Sequence, residues 1–371
     1  MNNMKVAIAF DWLNIYGGAE KTLEVFLELY PDADIYTSIY DQTKLPNHLK
    51  NLNVKTSFIQ KLPFGRSKYR NYLPLMPMAF EQFDLRSYDL VISNSHAFAK
   101  GVITGPQTLH VCYCFTPMRW AWDMYHDYLE NEEIKGLKKI FLTPLINYLR
   151  LWDVTSSNRV DHFIAISGHI AGRIKKFYNR DSSVIYPPVE TKKFEGDDIS
   201  QDYYLVVSRL VSQKRVDIIV EAFNELKLPL IIIGKGRDLD KLKAMAKSNI
   251  KFLGYQKDEV VAEYMKKCKA FVFASYEDFG IAPIEANAAG KPAIVYGAGG
   301  ALETIVADGT GVFFDKQEKD SVVSAVKRFE TMTFDSKKII VHAKKFDREM
   351  FKKNVKEFID ARCIDFFRGA K

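Results

Sequence analysis

The 371-residue chain holds four cysteines, Cys112, Cys114, Cys268 and Cys363, too few and too scattered for a disulfide framework at this length. Cys112 and Cys114 alternate along a strand-like run, which reads as core filling; there is no CxxC pair and no His-rich tract, so no metal site is expected. These absences predict a reducing, cytoplasmic setting. No apolar run approaches the roughly 20 residues of a membrane span, and the N-terminus passes directly into a strand-like run at 5–10 without a signal-peptide pattern. The charge, 53 Lys and Arg against 46 Asp and Glu, is a mild +7 spread along the chain. It lacks the dense basic patch of a nucleic-acid binder, so no nucleic acid is expected as partner, and it suits anionic substrates or a lipid surface. No internal repeat is evident, and the length is comfortable for two domains.

What is present is a βα alternation that runs twice. Its most informative stretch is Ala274-Ser275-Tyr276-Glu277-Asp278-Phe279-Gly280-Ile281-Ala282-Pro283-Ile284-Glu285. The apolar run before it reads as a buried strand, and 281–290 reads as a helix with Pro283 in its first turn. Strand, polar turn and helix start form the place where open α/β sheets bind ligands, and the free N–H groups there suit a phosphate. Glu277 and Glu285 flank that anion site. Acids beside a phosphate are useful when they accept hydrogen bonds from hydroxyls, and a sugar nucleotide carries hydroxyls on both sides of its diphosphate. An ordinary βα turn with two surface glutamates reads the same residues more plainly.

Upstream, the strand at 5–10 leads to Gly17-Gly18-Ala19-Glu20 and a helix to about 29. The glycine pair lets backbone N–H groups approach a ligand. Strands are expected at 33–39, 88–94, 109–115, 161–167 and 183–186, with Ser167 capping a helix. His96 follows the strand at 88–94 and is either a site residue or structural. Thr116-Pro117-Met118-Arg119 follows the strand at 109–115 and is either an acceptor or phosphate contact or a capped turn with buried tryptophans. Two regions mix basic and apolar residues. In 58–83, Lys61, Arg66, Lys68 and Arg70 are interleaved with Phe58, Phe64, Tyr69 and Met78, and Pro63, Pro74 and Pro77 exclude one long helix. In 134–152, Lys135, Lys138, Lys139 and Arg150 accompany an amphipathic helix. Both suit the inner leaflet of a membrane, and a packed helical hairpin with a solvated basic face suits the first equally well. The extended Tyr186-Pro187-Pro188 marks a domain boundary. The alternation restarts with strands at 203–208, 229–233, 250–253, 269–274 and 292–296, helices at 216–226 and 258–267, and a final helix at 348–367. Arg209 and Lys214 follow the first strand of this half and supply the cations a diphosphate needs.

Gly17-Gly18-Ala19-Glu20, Ser208-Arg209-Leu210 with Lys214, and Glu277 through Glu285 stand in the order seen in the retaining family-4 glycosyltransferases, which the chain resembles over nearly its whole length. Thr116-Pro117-Met118-Arg119 is similar to a subgroup that includes bacterial O-antigen and capsule mannosyltransferases. The resemblance implies an α/β GT-B fold, two Rossmann-like doubly wound domains facing each other across a cleft. The domains would be an acceptor-side domain at 1–187, a nucleotide-sugar domain at 188–347 and a terminal helix at 348–371 returning to the first. It implies transfer of a hexosyl group, by default mannose from GDP-mannose, with retention, without metal and with no cofactor beyond the nucleotide sugar. The acceptor would be a lipid-linked or membrane-proximal glycan. Arg209 and Lys214 would hold the diphosphate, with Gly17 and Gly18 approaching it. Glu285 would take the ribose hydroxyls, Glu277 those of the donor sugar, Gly254 and Tyr255 would face the base, and Phe279, Gly280 and Ile281 would complete the donor site. Glu277, Arg209, Lys214 and His96 are the catalytic candidates; Phe115, Thr116 and Arg119 form an acceptor or donor-sugar pocket.

One departure stands out. Similar sequences carry histidine where this chain has Phe115, and a phenyl ring offers a primary hydroxyl no hydrogen bond, a loss of roughly 1–3 kcal/mol if the hydroxyl is buried there. Three readings follow: a 6-deoxy sugar donor, replacement of the missing contact by His96 or His110, or an altered enzyme. A GT-B epimerase and a non-catalytic nucleotide-sugar-binding subunit are the alternatives to transfer.

Overall fold

The computed structural model describes residues 4–126, 129, 136–196 and 200–369. It divides into two compact units, one of residues 1–187 with 351–371 and one of 188–350.

Unit 1 carries strands β1 (Val6–Phe10), β2 (Asp34–Thr37), β3 (Val54–Thr56), β4 (Leu90–Ser95), β5 (Leu109–Cys114), β6 (His162–Ala165) and β7 (Ser182–Val184), with helices α1 (Gly18–Leu29), α2 (Met76–Glu81), α3 (Leu137–Ser157) and α4 (Gly168–Tyr178). The sheet is parallel, in the order β3-β2-β1-β4-β5-β6-β7. Every residue of β1, β4 and β5 is buried, because helices cover both faces of a parallel sheet; this is why their sequences run apolar without alternating. The edge strands β3 and β7 are three residues each and carry polar side chains, which blunts the edges. The chain builds outward from β1 through β2 to β3, then returns to place β4 on the other side of β1. The crevice where the order reverses lies beyond the carboxyl ends of β1 and β4.

Unit 2 carries β8 (Tyr204–Val207), α5 (Val216–Leu226), β9 (Leu230–Ile233), α6 (Leu239–Met245), β10 (Ile250–Gly254), α7 (Asp258–Lys267), β11 (Ala270–Phe273), α8 (Ile281–Ala288), β12 (Ala293–Tyr296), α9 (Ala301–Thr304), β13 (Gly311–Phe314), α10 (Lys319–Glu330) and α11 (Ser336–Ala343). Its parallel sheet runs β10-β9-β8-β11-β12-β13, so its reversal lies between β8 and β11. The elements from α9 to α11 have no counterpart in the sequence reading, and neither does edge strand β3.

The last helix, α12 (Arg348–Gly369), belongs to unit 1 from Phe351 onward. Phe351, Val355, Ile359 and Cys363 are buried and stand four apart, one face of a helix. Phe351 meets Phe26 of α1 and Tyr113 of β5 at 6.0 and 5.4 Å between ring centroids, and Lys352 bonds Glu28 at 2.9 Å.

The mixed region 58–83 forms short 3-10 turns at Phe58–Lys61 and Tyr69–Leu75 before α2, as its prolines require. Ile59, Tyr69, Met76, Ala79 and Phe80 enter one core with Met118, Ile146, Leu149 and Trp152. Phe64 and Met78 stay exposed, 70% and 51%, beside exposed Lys61, Arg66, Lys68 and Arg70. In 134–152, residues 134 and 135 lie outside the described residues, as do the side chains of Lys138 and Lys139. The Arg150 guanidinium bonds the Ala121 carbonyl and lies 4.8 Å from the centre of the Tyr125 ring, and the residue is half-buried. Ile140 and Leu151 on the same helix are exposed. Among the described residues no helix is long and apolar enough to cross a membrane.

Candidate functional site

Each unit places one ion pair across the reversal of its own sheet. In unit 2 the pair is Lys214 with Glu277. After β8 the chain turns through Ser208-Arg209-Leu210 and a 3-10 turn at Ser212–Lys214, and Arg215, with φ 49°, closes it into α5. The turn is braced by Gly234-Lys235-Gly236 after β9. Ser208 N–H donates to Ile233 O and Leu210 N–H to Lys235 O, both at 3.0 Å. A Cβ on Gly234, where φ is +148°, would fall 1.8 Å from Ser208 O, and one on Gly236 2.0 Å from Leu210 O, so only glycine permits that approach. Arg209 is exposed, and among the described residues no acid pairs with it.

After β11, Ser275 and Glu277 form the facing turn. Lys214 Nζ donates to Glu277 Oε1, and Ser275 Oγ donates to the same oxygen at 2.7 Å. The glycine run after β12, which carried no assigned role in the sequence, supports this turn. Glu277 and Gly299 form a β-bridge, Gly300 N–H donates to Glu277 O at 2.9 Å, and a Cβ on Gly300 would meet Phe279 Cα at 2.4 Å. Gly280, with φ 91°, is the N-cap of α8. It makes no side-chain cap hydrogen bond to the first turn of α8. Glu285 lies one turn into α8, half-buried. The Phe279 ring is buried, with its centroid 5.8 Å from that of Phe346. Gly254 and Tyr255 lie at the end of β10, two strands from β8 and three from β11; Tyr255 is 66% exposed and the Lys235 ammonium sits 4.8 Å from its ring centre.

In unit 1 the pair is Asp11, at the end of β1, with His96, at the end of β4. Asp11 was not singled out by the sequence reading. It is fully buried, and its carboxylate accepts the backbone N–H groups of His96, Ala97, Phe98 and Ala99 at 2.6, 3.1, 2.6 and 2.7 Å and His96 Nδ1 at 3.0 Å. Burial opposes charge on both groups, yet the pairing prevails: Asp11 is held below its ordinary pKa and His96 above. The loop is gripped again at Lys100, which is buried with Asp153, and Asp153 also accepts Trp122 Nε1 and Tyr178 OH at 2.8 and 2.9 Å.

Gly17 is the N-cap of α1 and Gly18 its first residue, but the acceptor at this helix start is internal. The carboxyl of Glu20 folds back to the N–H groups of Gly17 and of Glu20 itself, the reciprocal arm of a capping box, and burial pushes its pKa up to about 7. A buried carboxyl raised this way gives stability a slope. Unfolded, it titrates near 4.5, so between there and pH 7 the unfolded state gives up its proton first and stability falls as pH rises. Glu20→Gln removes the slope, and the variant gains about 3 kcal/mol on wild type over that window. Urea midpoints measured across pH 4–8 check this; parallel curves would reject a neutral Glu20.

Phe115 is half-buried, its ring 5.4 Å from Tyr113 and 6.4 Å from His96. Thr116 Oγ1 accepts Arg173 at 2.9 Å, and buried Arg173 pairs with Asp123. The 116–125 turn is therefore locked onto α4, and Trp122 stacks on Phe177 at 4.9 Å. Arg119 is half-buried in the same turn. His110 is not available as a substitute for the missing histidine. It is fully buried between Ser93 Oγ at 2.8 Å and Arg159 O at 3.1 Å, and burial lowers its pKa to about 4.

Residues 16–193 match the family model described as Glycosyltransferase Family 4 and residues 190–346 that of Glycosyl transferases group 1. A GDP-mannose-dependent alpha-(1-6)-phosphatidylinositol monomannoside mannosyltransferase of Mycobacterium tuberculosis is 29% identical over 43% of this chain and 50% of its own. The alpha-1,3/1,6-mannosyltransferase ALG2 of Dictyostelium discoideum is 22% identical over 96% of this chain and 98% of its own. Against three uncharacterized glycosyltransferases of Methanocaldococcus jannaschii, the chain spans 47%, 34% and 57% of their length. Anabaena HepE, solved in complex with UDP, superposes with a TM-score of 0.70 at 16% identity, over 96% of this chain and 100% of that one. That likeness carries the fold, which is GT-B with two Rossmann-like domains. With the two family matches running on from one another across residues 16–346, the chain belongs to the family-4 glycosyltransferases.

Proposed function

We propose that the chain is a retaining, metal-independent hexosyltransferase that moves mannose from GDP-mannose to a lipid-linked or membrane-proximal glycan. The observation that carries this reading is the Lys214–Glu277 pair at the reversal of unit 2. A cation and a hydroxyl acceptor stand there together, with an uncommitted arginine on one side and a glycine-capped helix start on the other. In the reaction the bond from the sugar C1 to the diphosphate oxygen breaks and one from C1 to the acceptor oxygen forms on the same face. The acceptor's proton leaves with the diphosphate. Lys214 and Arg209 neutralise the charge that grows on the leaving group, the N–H groups from Ile281 onward bond its oxygens, Glu277 orients the sugar by its hydroxyls, and Glu285 holds the ribose. Mannose is chosen because both the mycobacterial and the Dictyostelium relatives bear mannosyltransferase names. A 6-deoxy sugar is the second reading, favoured by the apolar ring of Phe115.

A ligand that binds only the folded form raises its apparent stability. GDP and GDP-mannose are expected to raise the melting temperature by several degrees and UDP by less. A larger shift with UDP would reassign the base, and no shift with either diphosphate would remove the site. The lipid partner rests on unit 1, where Phe64, Met78, Ile140 and Leu151 stand exposed and Lys61, Arg66, Lys68 and Arg70 are exposed near the first two. Such a mixture binds an anionic interface by insertion and charge together. The protein is expected to float with vesicles rich in phosphatidylglycerol, and a variant with the four cations changed to glutamine to stay behind. Equal flotation would exclude these cations.

A further inference from the structure

Unit 1 carries a group of unpaired donors at the end of its sheet opposite the crevice. His162 opens β6 and Ser182 opens β7, so both stand at the amino ends of their strands. With Arg180, which follows α4, and with Phe358 and Arg362 of α12, they line a cavity of about 330 Å3 that lies wholly within unit 1. Arg362 Nε and Ser182 Oγ are buried and have no hydrogen-bond partner among the described residues. Buried donors of this kind call for an acceptor. The His162 ring makes no hydrogen bond among the described residues either, and it stands edge-on to Phe358 at 6.3 Å.

Two cations set the sign of that acceptor. The Arg180 guanidinium donates to the carbonyl oxygens of Ser157, Val160 and Asp161 at 2.9, 2.6 and 3.0 Å and lies 5.5 Å from the Phe163 ring centre. Among the described residues no acid pairs with it. The Arg362 guanidinium lies 5.1 Å from the Phe358 ring centre, and the acid beside it, Asp365, is exposed and 3.5 Å away. The two carboxylates of the cavity wall are engaged elsewhere: Asp161 accepts His110 N–H at 2.8 Å, and Asp181 pairs with Lys175 at 2.9 Å on the surface. Burial and the charges of Arg362 and Arg180 hold His162 below its ordinary pKa, against the pull of Asp161 and Asp365. A neutral imidazole, a serine hydroxyl and two guanidinium groups offer more donors than the two oxygens of a carboxylate can take, and they suit the three or four oxygens of a phosphate. The volume is that of a small-molecule pocket, larger than a bare ion needs.

We propose that the cavity formed by Arg180, Arg362, Ser182 and His162 is a binding site for a phosphate group, either the free ion or the phosphate of a small monoester. Arg362 comes from α12 and the other three from the sheet edge, so the bound anion ties the terminal helix to β6 and β7. The site is separate from the Lys214–Glu277 pair and does not depend on the transferase reading.

The test uses the full chain labelled with 15N-histidine, with the His162 ring signals assigned by their loss in His162→Gln. Sodium phosphate and glucose 6-phosphate are titrated separately, with sodium chloride at matched ionic strength as reference. Saturable movement of the His162 signals with either phosphate, and none with chloride, supports the site. Tighter binding of glucose 6-phosphate assigns it to a monoester, and equal or tighter binding of phosphate assigns it to the free ion. In the same spectra the His162 titration is expected to move to higher pH when the anion is bound, because the anion offsets the two arginine charges. Arg362→Gln is expected to weaken binding at least about tenfold, and Ser182→Ala, which removes only a hydroxyl, about fivefold. If Arg362→Gln does not fold, Ser182→Ala decides alone. Urea midpoints read from the tryptophans of unit 1 are expected to rise with saturating glucose 6-phosphate. No movement of His162 beyond that with chloride, or wild-type affinity in Ser182→Ala, overturns the site.

Discussion

Replacing Asp11 with alanine is expected to destabilise unit 1 by about 3–5 kcal/mol. The carboxylate is the shared acceptor for four successive N–H groups and for the imidazole. Removing it strands them in a place that water does not reach, and breaking one side of a buried pair costs far more than the pair contributes as a whole. Asp11→Asn keeps the shape but replaces one acceptor oxygen by an NH2 that faces two backbone donors, so it should retain under half the loss-free stability of wild type at this site. All four tryptophans, Trp12, Trp120, Trp122 and Trp152, lie in unit 1, so urea unfolding followed by tryptophan fluorescence reads this unit without averaging over the other. The pH dependence follows from the directions of the two shifts. The lowered Asp11 contributes stability that is present above the ordinary carboxylate value of 3.8 and lost as pH falls through its folded pKa. The raised His96 contributes stability that is present below 6.5 and lost as pH rises through its folded pKa. The deficit of Asp11→Ala should therefore be largest between those limits. A deficit below about 1 kcal/mol at pH 5.5 would mean that the loop after β4 is held by Lys100 and Asp153 alone.

Much of the fold was legible because parallel strands buried on both faces leave unbroken apolar runs, as at Val6–Phe10 and Ala270–Phe273, and because punctuation was local: Ser167 caps α4 through Ile170 N–H, and Pro283 sits in the first turn of α8. Unit 2's pair was legible as two motifs, since Lys214 and Glu277 each follow a recognisable strand. That they touch was not legible, because 63 positions separate them and only the strand order brings β8 beside β11. Asp11 escaped for the same reason. It looks like any polar residue after a strand until β4 is seen to insert next to β1, and its partners are mostly backbone amides, which carry no residue signature. The apolar stripe Phe351, Val355, Ile359 and Cys363 was available from four-residue spacing. The glycines at 299 and 300 marked a close backbone approach, but the approaching partner was two elements earlier in the chain.

Lys214→Met and Glu277→Gln should move nucleotide binding in opposite directions. With no ligand present the ammonium and the carboxylate neutralise each other, side chains 18% and 24% exposed, and a diphosphate must draw Lys214 away before it gains the full attraction. Lys214→Met deletes the attraction and leaves Glu277 facing the incoming charge, so GDP affinity measured by calorimetry should fall about 100-fold or more, in the range found when one side of a desolvated charge contact is cut. Glu277→Gln frees Lys214 and removes a repelling charge, so GDP, which carries no sugar for Glu277 to hold, should bind several-fold tighter. Turnover separates the two roles again. Release of GDP from GDP-mannose with water as acceptor should fall at least about 100-fold in both variants, through weaker donor binding in Lys214→Met and through loss of an orienting contact at unimpaired affinity in Glu277→Gln. Weaker GDP binding in Glu277→Gln would show that the carboxylate holds Lys214 in place for the phosphates instead of competing with them, and the assignment of Glu277 to the sugar hydroxyls would then fall.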